Sequence, residues 1–193
     1  MTSEPSKLNG IIVSTTLSWM RRAYGDDVVE RALLQLPSEQ RASLKKLVIS
    51  LGWYDISLYE RLLDLCYEEV KKKTGETRES FDQRGIEEVG GGILNTVYRF
   101  IFSLMQPSSI LNRISALFKR NYSHGSVSVV ENQPGYCLLL FELPNDMRSF
   151  IMRHNEIGYP HVLKMAGAKN ITTSSTHLET KSGCQIRLEL RYQ

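Results

Sequence analysis

The side chains best able to ligate a metal or act as nucleophiles are four histidines, His124, His154, His161 and His177, and three cysteines, Cys66, Cys137 and Cys184. Their spacing argues against both kinds of chemistry. His154 and His161 stand seven residues apart and would share a helix face only if one helix ran through Gly158 and Pro160. The cysteines are odd in number, far apart and form no C-x-x-C pair, so neither a zinc knuckle nor a thioredoxin-like site is supported. No H-E-x-x-H, G-x-S-x-G, Walker loop or G-x-G-x-x-G occurs. No nucleophile–base pair or carboxylate dyad can be located, and the expectation is a protein that is not an enzyme.

A second set of residues points to binding. Trp53, Tyr54, Tyr59, Tyr98, Phe100 and Phe102 could furnish aromatic walls, and Arg99 sets a guanidinium within the apolar run Val97-Tyr98-Arg99-Phe100-Ile101-Phe102. The run Gly90-Gly91-Gly92 lets backbone come close to a neighbouring helix or a ligand. It lacks the Lys-Ser/Thr of a phosphate loop and follows no strand. Small-molecule pockets combine apolar walls with a few polar groups. The expectation is a helix-lined pocket of Trp53, Tyr54, Gly91, Gly92, Tyr98, Arg99 and Phe102, taking a small, mainly apolar ligand. The plainer reading makes the aromatics core and the glycines a packing or hinge device. Arg99 has three readings: it snorkels to water, pairs with Glu87, Glu88 or Glu142, or binds an anionic group of a ligand.

Composition narrows the class. The 193 residues are 41% hydrophobic and 23% charged, as in ordinary globular proteins, with a net charge of +3. Interspersed charges of that small balance imply no nucleic-acid partner. The basic run Lys71-Lys72-Lys73 and the cluster Arg113, Lys119, Arg120 read as solvated helix ends and faces. Unpaired cysteines suit a reducing, cytoplasmic setting. Met1 to Lys7 is polar, with no apolar leader region. The longest apolar stretch, Ile93 to Met105, is interrupted by Asn95, Thr96 and Arg99, which predicts no membrane span.

These residues must be carried by elements, and the hydrophobic pattern supplies them. Leu8 to Val13 reads as a strand. Thr15 or Thr16 caps a helix ending at Gly25, and a second helix runs from Asp26 to Pro37. A third spans Glu39 to Leu51. Asp55 or Ser57 opens an amphipathic helix bearing Leu58, Leu62, Leu65 and Cys66, ended by Thr74-Gly75. Glu76 to Val89 is a more polar helix that Gly90 to Gly92 should break. Ile93 to Met105 reads as a buried central helix, followed by Ile110 to Tyr122. The pattern then changes to a hairpin, Ser126–Glu131 and Tyr136–Leu143, joined by the turn Asn132 to Gly135. A helix from Pro144 to about Gly167 leads to two further strands, Ile171–Glu179 and Ile186–Tyr192. The expected fold class is α+β: a helical N-terminal two-thirds packed on a C-terminal antiparallel sheet of ββ-α-ββ order, in one domain over residues 1–193, helical to residue 122.

Several stretches resemble known families. Gly10-Ile11-Ile12-Val13 through Tyr24-Gly25-Asp26-Asp27-Val28-Val29-Glu30-Arg31 resembles the opening of haem nitric-oxide-binding (H-NOX) domains. The middle is similar to an uncharacterised paralogous family typical of myxobacterial genomes, through Trp53-Tyr54, Arg84-Gly85, Gly91-Gly92-Ile93-Leu94, Val97-Tyr98-Arg99, Pro107, and Tyr122 with Gly125. Gly158, Leu163, Gly167-Ala168 and Cys184 resemble vinyl-4-reductase sensor domains. The resemblance implies the fold shared by H-NOX domains, vinyl-4-reductase domains and TRAPP vesicle-tethering subunits, with helices on an antiparallel sheet, frequent dimerisation and frequent apolar pockets. H-NOX domains hold haem through a histidine on a helix before the sheet and a Tyr-x-Ser-x-Arg motif. Ile110 to Tyr122 contains no histidine and Tyr136 to Leu143 no such motif, and Cys184 stands without the cysteine cluster that holds zinc in many vinyl-4-reductase domains. The chain is therefore expected to carry neither haem nor zinc. It is expected to be a regulatory sensor or interaction module, a homodimer with a possible signalling partner. The alternative is a dimerising scaffold of TRAPP type, followed by a haem gas sensor.

Overall fold

A computed structural model describes residues 4–45, 52–93, 106–180 and 183–193. The chain divides into two compact units, Met1–Ile93 and Leu94–Gln193.

The first unit starts with a short antiparallel ribbon, β1 (Lys7–Asn9) and β2 (Trp53–Asp55), in which Leu8 faces Tyr54. The strand that the sequence extends to Val13 ends at Asn9, because a helix begins there. The Asn9 side chain accepts from the Ile11 N–H at 3.0 Å and caps α1 (Gly10–Tyr24). Ile12, Val13, Thr16, Leu17, Met20 and Tyr24 then bury along a helical stripe. That packing overrides the strand preference of the β-branched run. Gly25, at φ 100, ends the helix. α2 (Asp26–Leu34) buries Val28, Val29, Ala32 and Leu33, as its pattern predicts. α3 covers Ser38–Lys45.

α4 (Ile56–Thr74) buries Ile56, Tyr59, Leu62, Leu63, Cys66, Glu69 and Val70. It ends on Gly75 in the left-handed conformation, with the Gly75 N–H bonded to the Lys71 carbonyl. α5 runs over Arg78–Ile93 and passes through Gly90 to Gly92, where the glycines predict a break. Glycine weakens a helix through backbone entropy, about 1 kcal/mol per residue, and has no steric reason to end one. α1 packs on α2 and α5, and α2 on α4. Trp19 of α1 lies 5.5 Å from the Phe81 ring of α5, and a Cβ at Gly85 would sit 3.1 Å from the Trp19 ring. Thr16 and Tyr59 share a buried hydroxyl–hydroxyl bond of 2.7 Å between α1 and α4. Of the helix expected over Ile93–Met105, Ile93 ends α5 and residues 94–105 lie outside the described residues.

The described part of the second unit includes α6 (Pro107–Leu111) and α7 (Ile114–Asn121), where the sequence predicts one continuous helix from Ile110. They are separated at Asn112 and Arg113, where Asn132 donates to both the Ser108 carbonyl and the Asn112 side chain at 2.9 Å. β3 (Ser126–Gln133) and β4 (Tyr136–Leu143) form the expected hairpin, with a bulge between Val129 and Glu131. A short 3-10 turn, Asn145–Met147, leads into α8 (Arg148–Met165). α8 runs unbroken past Gly158 and Pro160, so His154 and His161 do stand on one helix. β5 (Thr172–Thr180) and β6 (Gly183–Arg191) complete an antiparallel sheet of order β3-β4-β6-β5, the ββ-α-ββ arrangement read from the sequence. A Cβ at Gly183 would collide with the Leu143 carbonyl oxygen, so β6 starts where only glycine fits.

Candidate functional site

Strand alternation builds one wall of the site. Cys137, Leu139, Phe141 and Leu143 of β4 stand opposite Leu190, Leu188, Ile186 and Cys184 of β6, and all eight are buried. With a period of two, they share the sheet face that the helices cover. The other face carries Arg187, Glu189 and Arg191. α7 is held to β3 by the Ser115 hydroxyl, which donates to the Val127 carbonyl at 2.6 Å. α8 lies against β5 and β6, tied by the ion pair Arg148–Glu179 and by Ser175 donating to Glu156.

The two helices bring aromatics onto this wall. Phe118 of α7 sits 4.7 Å from the Tyr122 ring and 6.1 Å from Phe141. Tyr122 meets Phe150 of α8 edge-on at 6.2 Å, and Tyr159 of α8 lies 5.8 Å from Phe141. Phe150 stacks at 4.0 Å on His154, whose Nδ1 donates to the Phe150 carbonyl at 2.6 Å.

Polar atoms break this apolar layer in a specific way. Asn155 is 8% exposed, and its Nδ2 has no hydrogen-bond partner among the described residues. Tyr159 stands one turn further along the same face of α8. The hydroxyl of Tyr192, just beyond β6, is buried and equally unpartnered among the described residues. Burial raises the half-buried phenols of Tyr122 and Tyr159 well above the usual tyrosine range. For Tyr159, the nearby Tyr122 phenol and Cys137 thiol add to the rise, and Cys137 also adds to the rise that burial causes at Tyr192. Burial pushes the Cys137 thiol up to about 11. All these groups are neutral at pH 7. An unmet buried amide N–H costs about 1–3 kcal/mol, so Asn155 is expensive for the protein alone.

The residues singled out in the sequence as pocket-lining are Trp53, Tyr54, Gly91, Gly92, Tyr98, Arg99 and Phe102. Trp53 and Tyr54 lie in β2 of the first unit, with Trp53 45% exposed. Gly91 and Gly92 occupy the last turn of α5. Tyr98, Arg99 and Phe102 lie outside the described residues. Of the carboxylates named for Arg99, Glu88 pairs with Arg22, Glu87 accepts from Gln83, and Glu142 accepts from Ser126 and Gln185. Asn155, Tyr159, Tyr122 and Tyr192 do not stand out in the sequence. The available signals are Asn155/Tyr159, an i, i+4 pair on the inward face of α8, and the aromatic Tyr122 just past Phe118 at the end of α7.

Comparison with solved structures identifies the architecture as an H-NOX-like α+β fold. An oxygen-binding H-NOX domain related to soluble guanylate cyclases superposes with a TM-score of 0.69 at 12% identity, over 96% of this chain and 95% of that one. A single-residue variant of the T. tengcongensis H-NOX gives 0.70 at 12% identity, over 96% and 97%. The Fe(II) unliganded H-NOX protein from K. algicida gives 0.67 at 13% identity, over 96% of each chain. No family profile matches the chain, and no curated protein matches it.

The described elements do not carry the haem-holding residues that the resemblance to H-NOX domains implies. α6 and α7, described helices before the sheet, carry no histidine, and β4 carries no Tyr-x-Ser-x-Arg. His124 follows α7 in a bend, its Nδ1 2.8 Å from the Ser123 hydroxyl, and His177 is exposed on β5. Among the described residues no group of three or more His, Cys, Asp or Glu could hold a metal ion.

Proposed function

We propose that this chain is a non-enzymatic regulatory sensor of H-NOX-like fold whose sheet unit binds a small, mainly apolar ligand without haem. The observation that carries this reading is Asn155, an amide donor left unmet inside an aromatic and aliphatic layer. Such a layer with a few placed polar groups is the ordinary form of a small-molecule site. The fold supports a sensor, since the structures it resembles are H-NOX domains that bind oxygen or hold iron. Buried, unpaired Cys66, Cys137 and Cys184 support a cytoplasmic setting, and no helix among the described residues is long and apolar enough to cross a membrane. A homodimer and a signalling partner fit this role.

The test has two arms. Protein produced with excess haem is expected to show no Soret band, and its melting temperature is expected to rise with small aromatic compounds. A stoichiometric Soret band would replace this reading with that of a haem sensor, the second reading that the structural likeness favours. The absence of any ligand effect would favour a dimerising scaffold, measurable by light scattering.

A further inference from the structure

Resting on that reading of the sheet-unit site, we infer that the ligand presents a neutral hydrogen-bond acceptor, a ketone, quinone or ester oxygen on an apolar body, to Asn155 with Tyr159 beside it. The inference comes from the sign of what is missing. Of the unmet groups among the described residues of this unit, the Asn155 amide N–H and the Tyr192 hydroxyl can donate, whereas Asn132 Oδ1, on β3 beside α6, accepts. Tyr122 and Tyr159 keep their protons in this surrounding and add two further donors. What Asn155 lacks is an acceptor. A carbonyl oxygen has two lone pairs and can take two of these donors at once.

Charge decides against an anion. Arg148 of α8 is engaged by Glu179, and Lys119 and Arg120 of α7 are exposed. Arg187 and Arg191 stand on the opposite sheet face, where Arg191 lies over the Tyr136 ring. A carboxylate brought to Asn155 would lose its water and meet no cation among the described residues of this layer. A hydrocarbon would fit the walls of Leu139, Phe141 and Phe150 but leave the donors unmet. Sites built to donate to a ligand oxygen reject the analogue that lacks it far more strongly than sites reject a missing methylene.

Three probes of one shape separate these cases: acetophenone, a neutral ketone; cumene, its hydrocarbon counterpart; and benzoate, its anionic counterpart. Each is titrated into the full chain and into Asn155→Leu, with binding read from amide shifts in NMR spectra. Acetophenone is expected to bind at least about tenfold more tightly than cumene, and benzoate not at all. In Asn155→Leu the preference for acetophenone over cumene should vanish while cumene still binds. Asn155→Asp, isosteric but anionic, should lose acetophenone as well. Equal binding of acetophenone and cumene to the native chain would overturn the acceptor inference and leave the apolar site standing. Benzoate binding most tightly would overturn it too. Failure of all three to bind would remove the site itself.

Discussion

Asn155 is a residue the fold tolerates at a cost. Its amide is buried with Nδ2 unmet among the described residues, so replacing it with a similarly sized apolar side chain should not hurt folding. Asn155→Leu is expected to leave stability unchanged or to raise it by up to about 1–3 kcal/mol, as read from urea unfolding. A loss of that size would mean that the amide does structural work in the apo protein. Glu69 is the opposite case. It accepts from Arg31 at 2.7 Å and from Lys72 at 2.8 Å, with Gln35 at 3.2 Å. Lys72 first, then Arg31, holds its carboxyl below the usual range, and Lys73 and Arg31 do the same for Asp27. Depressed carboxylates contribute stability above their unfolded pKa, about 4. That contribution is lost as pH falls through the lower folded values. Stability should therefore begin to drop below about pH 5. The slope should be shallower in Glu69→Gln, as followed by urea melts across the acid range.

At the scale of elements, the contact between α1 and α5 is set by absence of a side chain. Trp19 lies against Gly85, and a Cβ there would already be tight at 3.1 Å. Gly85→Val should destabilise the first unit by about 1–3 kcal/mol and change the Trp fluorescence, whereas Gly75→Ala near the end of α4 would change neither the ring packing nor that signal. Periodicity exposes most of these elements. Tyr136–Leu143 is legible as a strand because its apolar run is short and bounded by turns. α2 is legible because Asp26 and Asp27 mark its start. The β1–α1 boundary is not, since Ile11-Ile12-Val13 suits either state and the cap by Asn9 decides. Nor is the continuity of α8, because Pro160 removes one backbone donor without cutting the helix. The aromatic walls are legible as aromatic but not as a site. Phe118, Tyr122, Phe150 and Tyr159 converge only once α7 and α8 are laid on the same sheet face.

For the molecule as a whole, the three thiols report on folding. All are buried and unpaired, with burial pushing Cys66 up to about 12 and Cys137 up to about 11. Thiolate, not thiol, is the reacting species. Native protein near neutral pH should leave all three cysteines unreactive toward Ellman's reagent over minutes, and all three should react at once in guanidinium well beyond the roughly 5 M that marks hyperstable domains. Rapid reaction of one thiol in the native state would show that its layer opens locally, and reaction of Cys137 suppressed by acetophenone would place that opening at the proposed site. The low identity to H-NOX domains, 12–13% over nearly the whole chain, fits a scaffold whose interior lining can be exchanged while its layers persist.

The start of β6 makes that persistence possible. Gly183 admits the Leu143 carbonyl where no other residue could, and it opens the strand that lies between β4 and β5. Strand pairing alone does not distinguish one register from its neighbour, because the backbone repeats at every residue. A slip of one position would turn Cys184, Ile186, Leu188 and Leu190 toward water and bring Arg187 and Glu189 into the aromatic layer. A missing methyl group thus serves as the zero mark of a ruler. It tells the sheet which side is in, and it does so before any ligand is present to be recognised.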